Sequence, residues 1–147
     1  MLRASRTIGV TGAIAAATML SISPAAATAP KAGASYKGHV TGITSQAITF
    51  TVSKHGTFVT KLKLGPSLPS SCGSGGPPPQ QSSKPAAIKN GKFTAHIAYS
   101  ASNGNVFAKA TVTGKFLQQG KEKGTVTSVI TGAPTCGESL PYTTHAK

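Results

Sequence analysis

The sequence predicts an all-β domain, either a small antiparallel β-sandwich or a flattened barrel, with one long Pro/Ser/Gly-rich loop. Three observations predict it. Residues 92–116 read as two alternating runs around Asn103-Gly104, the strongest short-range hairpin signal. Other short runs with period-two alternation recur along the chain, separated by turn residues. Beyond the first 27 residues no stretch carries a helical period.

Pairing the two central runs across a two-residue turn sets Tyr99 opposite Ala108, Ile97 opposite Ala110, Ala95 opposite Val112 and Phe93 opposite Gly114. In most of these rungs a large apolar residue meets a small one, so this face packs without crowding. The other face pairs Ala98 with Lys109, His96 with Thr111, Thr94 with Thr113 and Lys92 with Lys115, and is mostly polar. Pattern, turn and pairing agree.

Taken in order, residues 1–27 form a secretory signal peptide. Arg3 and Arg6 precede an apolar run of small residues, Ser23-Pro24 breaks it, and Ala25-Ala26-Ala27 offers a cleavage site, with Ala27-Thr28-Ala29 a second option. The run is short of the ~20 residues a membrane span needs. Residues 28–35 are a linker of small residues, expected to be mobile. The secreted β domain is 36–147. A first strand covers 36–42 and alternates Tyr36, Gly38, Val40 and Gly42 on one side. A second covers 47–53 with Ile48, Phe50 and Val52 inward. A third covers 58–64 with Phe58, Thr60, Leu62 and Leu64 inward, across a three-residue Lys54-His55-Gly56 loop that sets Val52 opposite Phe58.

Residues 65–87 hold six prolines among many Ser and Gly, and read as one structureless loop. Its Pro77-Pro78-Pro79 run reads as a stiff polyproline stretch. Ala86 to Ile88 is a short strand before a tight Asn90-Gly91 turn. After the central hairpin, a turn at Gln119-Gly120-Lys121 sets Gly124 opposite Phe116 and Val126 opposite Gly114. Residues 142–146 end the chain as an edge strand. The predicted core is Phe50, Val52, Leu62, Phe93, Ile97, Val112, Phe116 and Val126.

Charge and chemistry narrow the function. Removing residues 1–27 takes away both Arg residues, so the formal charge falls from +13 to +11. What remains has no Asp, Arg or Trp, and Glu122 and Glu138 are its only acids. Without Asp no Ser-His-Asp triad can be written, and both Glu sit in expected turns. His39, His55, His96 and His145 lack the spacing of metal ligands, so no metal or cofactor is expected. Without interleaved Arg and aromatics, sequence-specific nucleic-acid recognition is not expected either. Cys72 and Cys136, an even pair in an exported chain, imply a disulfide.

One further pattern is present. Tyr36-x-Gly38, a Thr44-Ser45-Gln46 turn before an apolar strand, Cys72 in a Pro/Ser loop, Asn90-Gly91-Lys92-Phe93, Gly114-x-Phe116, Gly124 and Cys136 occur in that order. Together they resemble a group of small secreted bacterial β-domain proteins without assigned activity. The resemblance implies export, the β fold and paired cysteines, and brings no catalytic residues.

The expected function is that of a secreted, extracellular, non-catalytic binding module. Lys92, Lys109 and Lys115 on the outer face would attach it electrostatically to an anionic envelope or extracellular polymer or a membrane surface. The alternative is a structural or protein-binding domain that uses the 65–87 loop.

Overall fold

The computed structural model describes residues 27–65, 70–72 and 80–147, and within these the side chains of residues 44, 45 and 80 are left undescribed. The expected signal peptide apart from Ala27, and residues 66–69 and 73–79 of the expected loop, lie outside the described residues.

The fold is all-β. The strands are β1 (Ser35–Val40), β2 (Ile43–Val52), β3 (Phe58–Gly65), β4 (Gln80–Ser83), β5 (Ala86–Ala87), β6 (Lys92–Ser100), β7 (Val106–Phe116), β8 (Lys121–Ile130) and β9 (Ser139–Ala146). Among the described residues they form one nine-stranded antiparallel sheet in the order β4-β6-β7-β8-β9-β1-β2-β3-β5. Two meanders, β1 to β3 and β6 to β9, are joined where β9 pairs with β1. The sheet curls so that β4 comes back beside β3. Across that seam the Gln81 side chain both accepts from Leu64 N–H and donates to Leu64 C=O, and Ser83 Oγ donates to Leu62 C=O.

Every rung expected for the central hairpin is present. Its turn differs. Ala101 N–H donates to Asn105 C=O and Gly104 N–H to Ala101 C=O, so three residues, 102–104, make the loop. Gly104 takes the left-handed conformation (φ 83°), and a one-residue bulge between Tyr99 and Ser100 restores the register. At the Asn90-Gly91 turn both residues have positive φ (50° and 67°), as a two-residue type I′ turn requires.

Four other expectations are corrected. Val52 pairs with Val59, not Phe58, so Val59 is buried and Phe58 is 44% exposed. The cause is a longer turn: Ser53 Oγ accepts from the N–H groups of both Thr57 and Phe58. A bulge at Lys61 (φ 53°) then returns Leu62 and Leu64 to the inside. Residues 80–83 of the expected loop are β4, paired with β6. The final strand starts at Ser139 and is not an edge, because it lies between β8 and β1. Residues 44–46 belong to β2, and the turn before it is Thr41-Gly42. The stretch after Ala27 runs along the body: Thr28 N–H donates to Phe116 C=O and Gly33 N–H to Ser53 C=O.

All eight expected core residues are buried. Tyr36 stacks on Phe50 with ring centroids 5.0 Å apart, and Phe116 meets Tyr36 edge-on at 5.3 Å. Phe93 closes the cluster against Phe50 at 5.5 Å. Burying each such ring contributes about 1.5–3 kcal/mol.

The tight coil of the sheet depends on strand glycines. A Cβ on Gly124 would run into Thr113 C=O, and one on Gly38 into Thr143 C=O. In both cases the obstacle is backbone, which cannot swing aside. Gly124→Ala is therefore expected to destabilise the protein by about 3 kcal/mol, the upper range for overpacking. Urea unfolding of the variant checks this, and an unchanged midpoint would show that the strands part there without cost.

Candidate functional site: a basic outer face above a buried carboxyl

Strand pairing assembles the lysines. Lys92 of β6 lies opposite Lys115 of β7, and Lys115 lies opposite Lys123 of β8. The row continues through Thr143 of β9 to His39 of β1. Adjacent strands are about 4.8 Å apart, so the three lysines of the row set like charges close together. One row over, Lys121, His145, Lys37, Thr49 and Lys63 align across β8, β9, β1, β2 and β3. Outward parity holds for both rows: Lys37, Lys63, Lys92, Lys121 and Lys123 are exposed, and Lys115 is half-buried.

Of the three expected anion-binding residues, then, Lys92 and Lys115 are brought together. Lys109 shares their face but pairs with Ala98 and Val129. It stands six residues up β7 from Lys115, a separation of ~20 Å along the strand. Cys72 and Cys136 are joined, with Cα atoms 5.1 Å apart. His39, His55, His96 and His145 are all exposed. Among the described residues no group of three His, Cys, Asp or Glu side chains could hold a metal ion.

The other side of the sheet holds a residue whose role the sequence reading missed. β7 and β8 pair two residues away from the expected register, with Gly114 opposite Gly124 and Phe116 opposite Glu122. Gln119 (φ 61°) and Gly120 (φ 67°) form the turn, and Leu117 N–H donates to Lys121 C=O. A slip of two keeps every side chain on its face. It also takes Glu122 out of the turn and into the core, where it is fully buried.

Glu122 is accommodated by neighbouring polar groups and by missing side chains. Thr144 Oγ1 donates to its Oε2 at 2.6 Å, Tyr142 Oη lies 2.7 Å from its Oε1, and Lys115 N–H donates to the carboxyl. A Cβ on Gly114 would strike both Oε1 and the Phe93 ring, so glycine there makes the room. Burial pushes the acid up to about 7, against the opposing pull of the Thr144, Tyr142 and Lys115 donors. Tyr142 is raised by its own burial and by the neighbouring carboxylate, and Tyr36 by burial.

Tyr142 Oη also lies 3.2 Å from Thr113 C=O, so its one proton has two acceptors to choose from. With Glu122 neutral the chain closes. The acid O–H donates to Tyr142 Oη, Tyr142 donates to Thr113 C=O, and Oε2 accepts from Thr144. With Glu122 ionised, Tyr142 turns its proton to the carboxylate and Thr113 C=O loses it. The arrangement thus stores a proton without contact to solvent. It can support the core, but a substrate cannot reach it.

The class defined by these features is an all-β domain of one curled antiparallel sheet, disulfide-linked, with lysine rows outside and a carboxyl sealed within. Comparison with protein-family models, curated proteins and solved structures returned no match.

Proposed function

We propose that this chain is a secreted, non-catalytic binding module whose lysine rows attach it to an anionic envelope or extracellular polymer. The observation that carries the reading is the alignment of Lys92, Lys115 and Lys123 on three adjacent strands. Like charges set side by side repel, and a polyanion laid across them would turn that cost into attraction. Sealing Glu122 inside also leaves fewer carboxylates to compete outside. Lysine suits this role as a flexible point charge, whereas bidentate recognition favours Arg. Attachment should be weak, unspecific and salt-sensitive. The Cys72–Cys136 bond supports placement in an oxidising compartment, as export requires. We read the curled sheet as the flattened barrel of the two expected architectures, a reading supported by the side-chain seam between β3 and β4.

Retention on immobilised polygalacturonate tests the proposal. Lys92→Gln with Lys115→Gln should lower retention and flatten its dependence on salt, because two of the neutralised contacts are gone. Unchanged retention with unchanged salt dependence would remove the electrostatic reading.

A further inference from the structure

The ladder between β4 and β6 runs only from Gln80↔Ser100 to Ser83↔Ile97. Pro85 has no N–H to continue it. The chain leaves β6 there, and Ala86 and Ala87 pair with Val59 and Phe58 of β3 instead. It returns to β6 only at the Lys89↔Lys92 bridge. Between these points Thr94, Ala95 and His96 have no strand partner on that side among the described residues. A groove of about 570 Å³ opens over the gap.

Its lining is largely apolar, its polar members are Ser82, Ser83, Lys84, Thr94, His96, Lys109 and Thr111, and no carboxylate lines it. His96 Nδ1 and Thr111 Oγ1 are hydrogen-bonded at 3.3 Å, which steadies the imidazole. The volume falls within the range of small-molecule sites, ~300–1,000 Å³. The gap spans only the few β6 residues between the β4 ladder and the Lys89↔Lys92 bridge, so it suits a short unit better than a through-running chain. Hydroxyls and the open β6 edge supply donors and acceptors for hydroxyl groups, and Lys84 and Lys109 supply charge.

We propose that this gap binds one anionic, sugar-sized polyol unit, with its carboxylate or phosphate on Lys84 and Lys109 and its hydroxyls on Thr94, Thr111 and the β6 edge. The choice of an anion rests on the electrostatic reading above. The unit would be either a free small molecule or one residue of the polymer that the lysine rows hold.

Titration of the full chain, followed by NMR of the backbone amides and the His96 ring, tests the site. The probes are glucuronate, glycerol phosphate, neutral glucose and polygalacturonate. Both small anions should shift Ala95, His96 and Thr111 saturably, with glucose about tenfold weaker or worse. Lys84→Gln with Lys109→Gln should weaken both anions about tenfold. Lys92→Gln with Lys115→Gln should leave them within about twofold while lowering polygalacturonate retention. Shifts spread over all lysines without saturation would overturn the site, as would small-anion binding unchanged in the groove variant. A tetraglutamate peptide bound more tightly than either small anion would overturn it in favour of strand addition. Absent groove shifts with retention intact remove the groove alone, and saturable groove shifts with the row variant still fully retained remove the row alone.

Discussion

Raising the pH from about 4 to about 9 should lower folding stability by about 3 kcal/mol through Glu122 alone. Its carboxyl is pushed from 4.5 in the unfolded chain to about 7 in the fold, chiefly by burial. A raised acid binds its proton more tightly when folded. Its contribution is therefore complete below 4.5 and is lost as the pH rises through about 7. The direction is opposite to that of a salt-bridged carboxylate, which loses stability on acidification. Glu122→Gln supplies the critical comparison. The amide would donate to Tyr142 Oη and accept from Thr144 Oγ1, copying the neutral acid. Urea unfolding across this range should show the parent losing stability, while the variant stays flat and matches or exceeds the parent at high pH. A variant that keeps the parent's slope would place its origin elsewhere.

Glu122 also shows where sequence reasoning stopped. The central hairpin was legible because large and small residues alternate in register on both its strands, leaving one sensible pairing. The next pairing, β7 with β8, was decided by a turn that puts Gln119 into the left-handed region, a conformation its side chain does not advertise. A register wrong by two residues still predicts every face correctly. It fails only at the strand end, and Glu122 stands there. The same holds for Lys123, which joins Lys92 and Lys115 only in the observed register. Phe58 and Val59 exchanged places because a serine side chain, not the loop's glycine, set the turn length. β4 was invisible for a different reason. Gln80 to Ser83 has no apolar alternation, and the strand is held on one side by the β6 ladder and on the other by the side chains of Gln81 and Ser83. The groove beside it follows from that missed strand. The cysteine pair needed only an even count and the expectation of export.

Removing the Cys72–Cys136 bond should cost on the order of 4 kcal/mol, the chain-entropy value for a loop of this length. The two residues are 64 apart in sequence, so the bond forbids the unfolded chain most of its open conformations. In the fold it fastens residues 70–72, between β3 and β4, to the turn between β8 and β9. Ser70 Oγ and Ser71 N–H both donate to Cys136 C=O there, at 3.1 and 3.3 Å. These contacts do not depend on the sulfur bridge, and neither cysteine belongs to a strand. The sheet should therefore survive in Cys72→Ser with Cys136→Ser, with its far-ultraviolet spectrum unchanged while the urea midpoint falls. The pH dependence carried by Glu122 should remain, since the carboxyl on β8 has its partners on β7 and β9. A loss below about 1 kcal/mol would mean that the reduced, unfolded chain already holds these segments together, so that the bridge has little freedom left to remove.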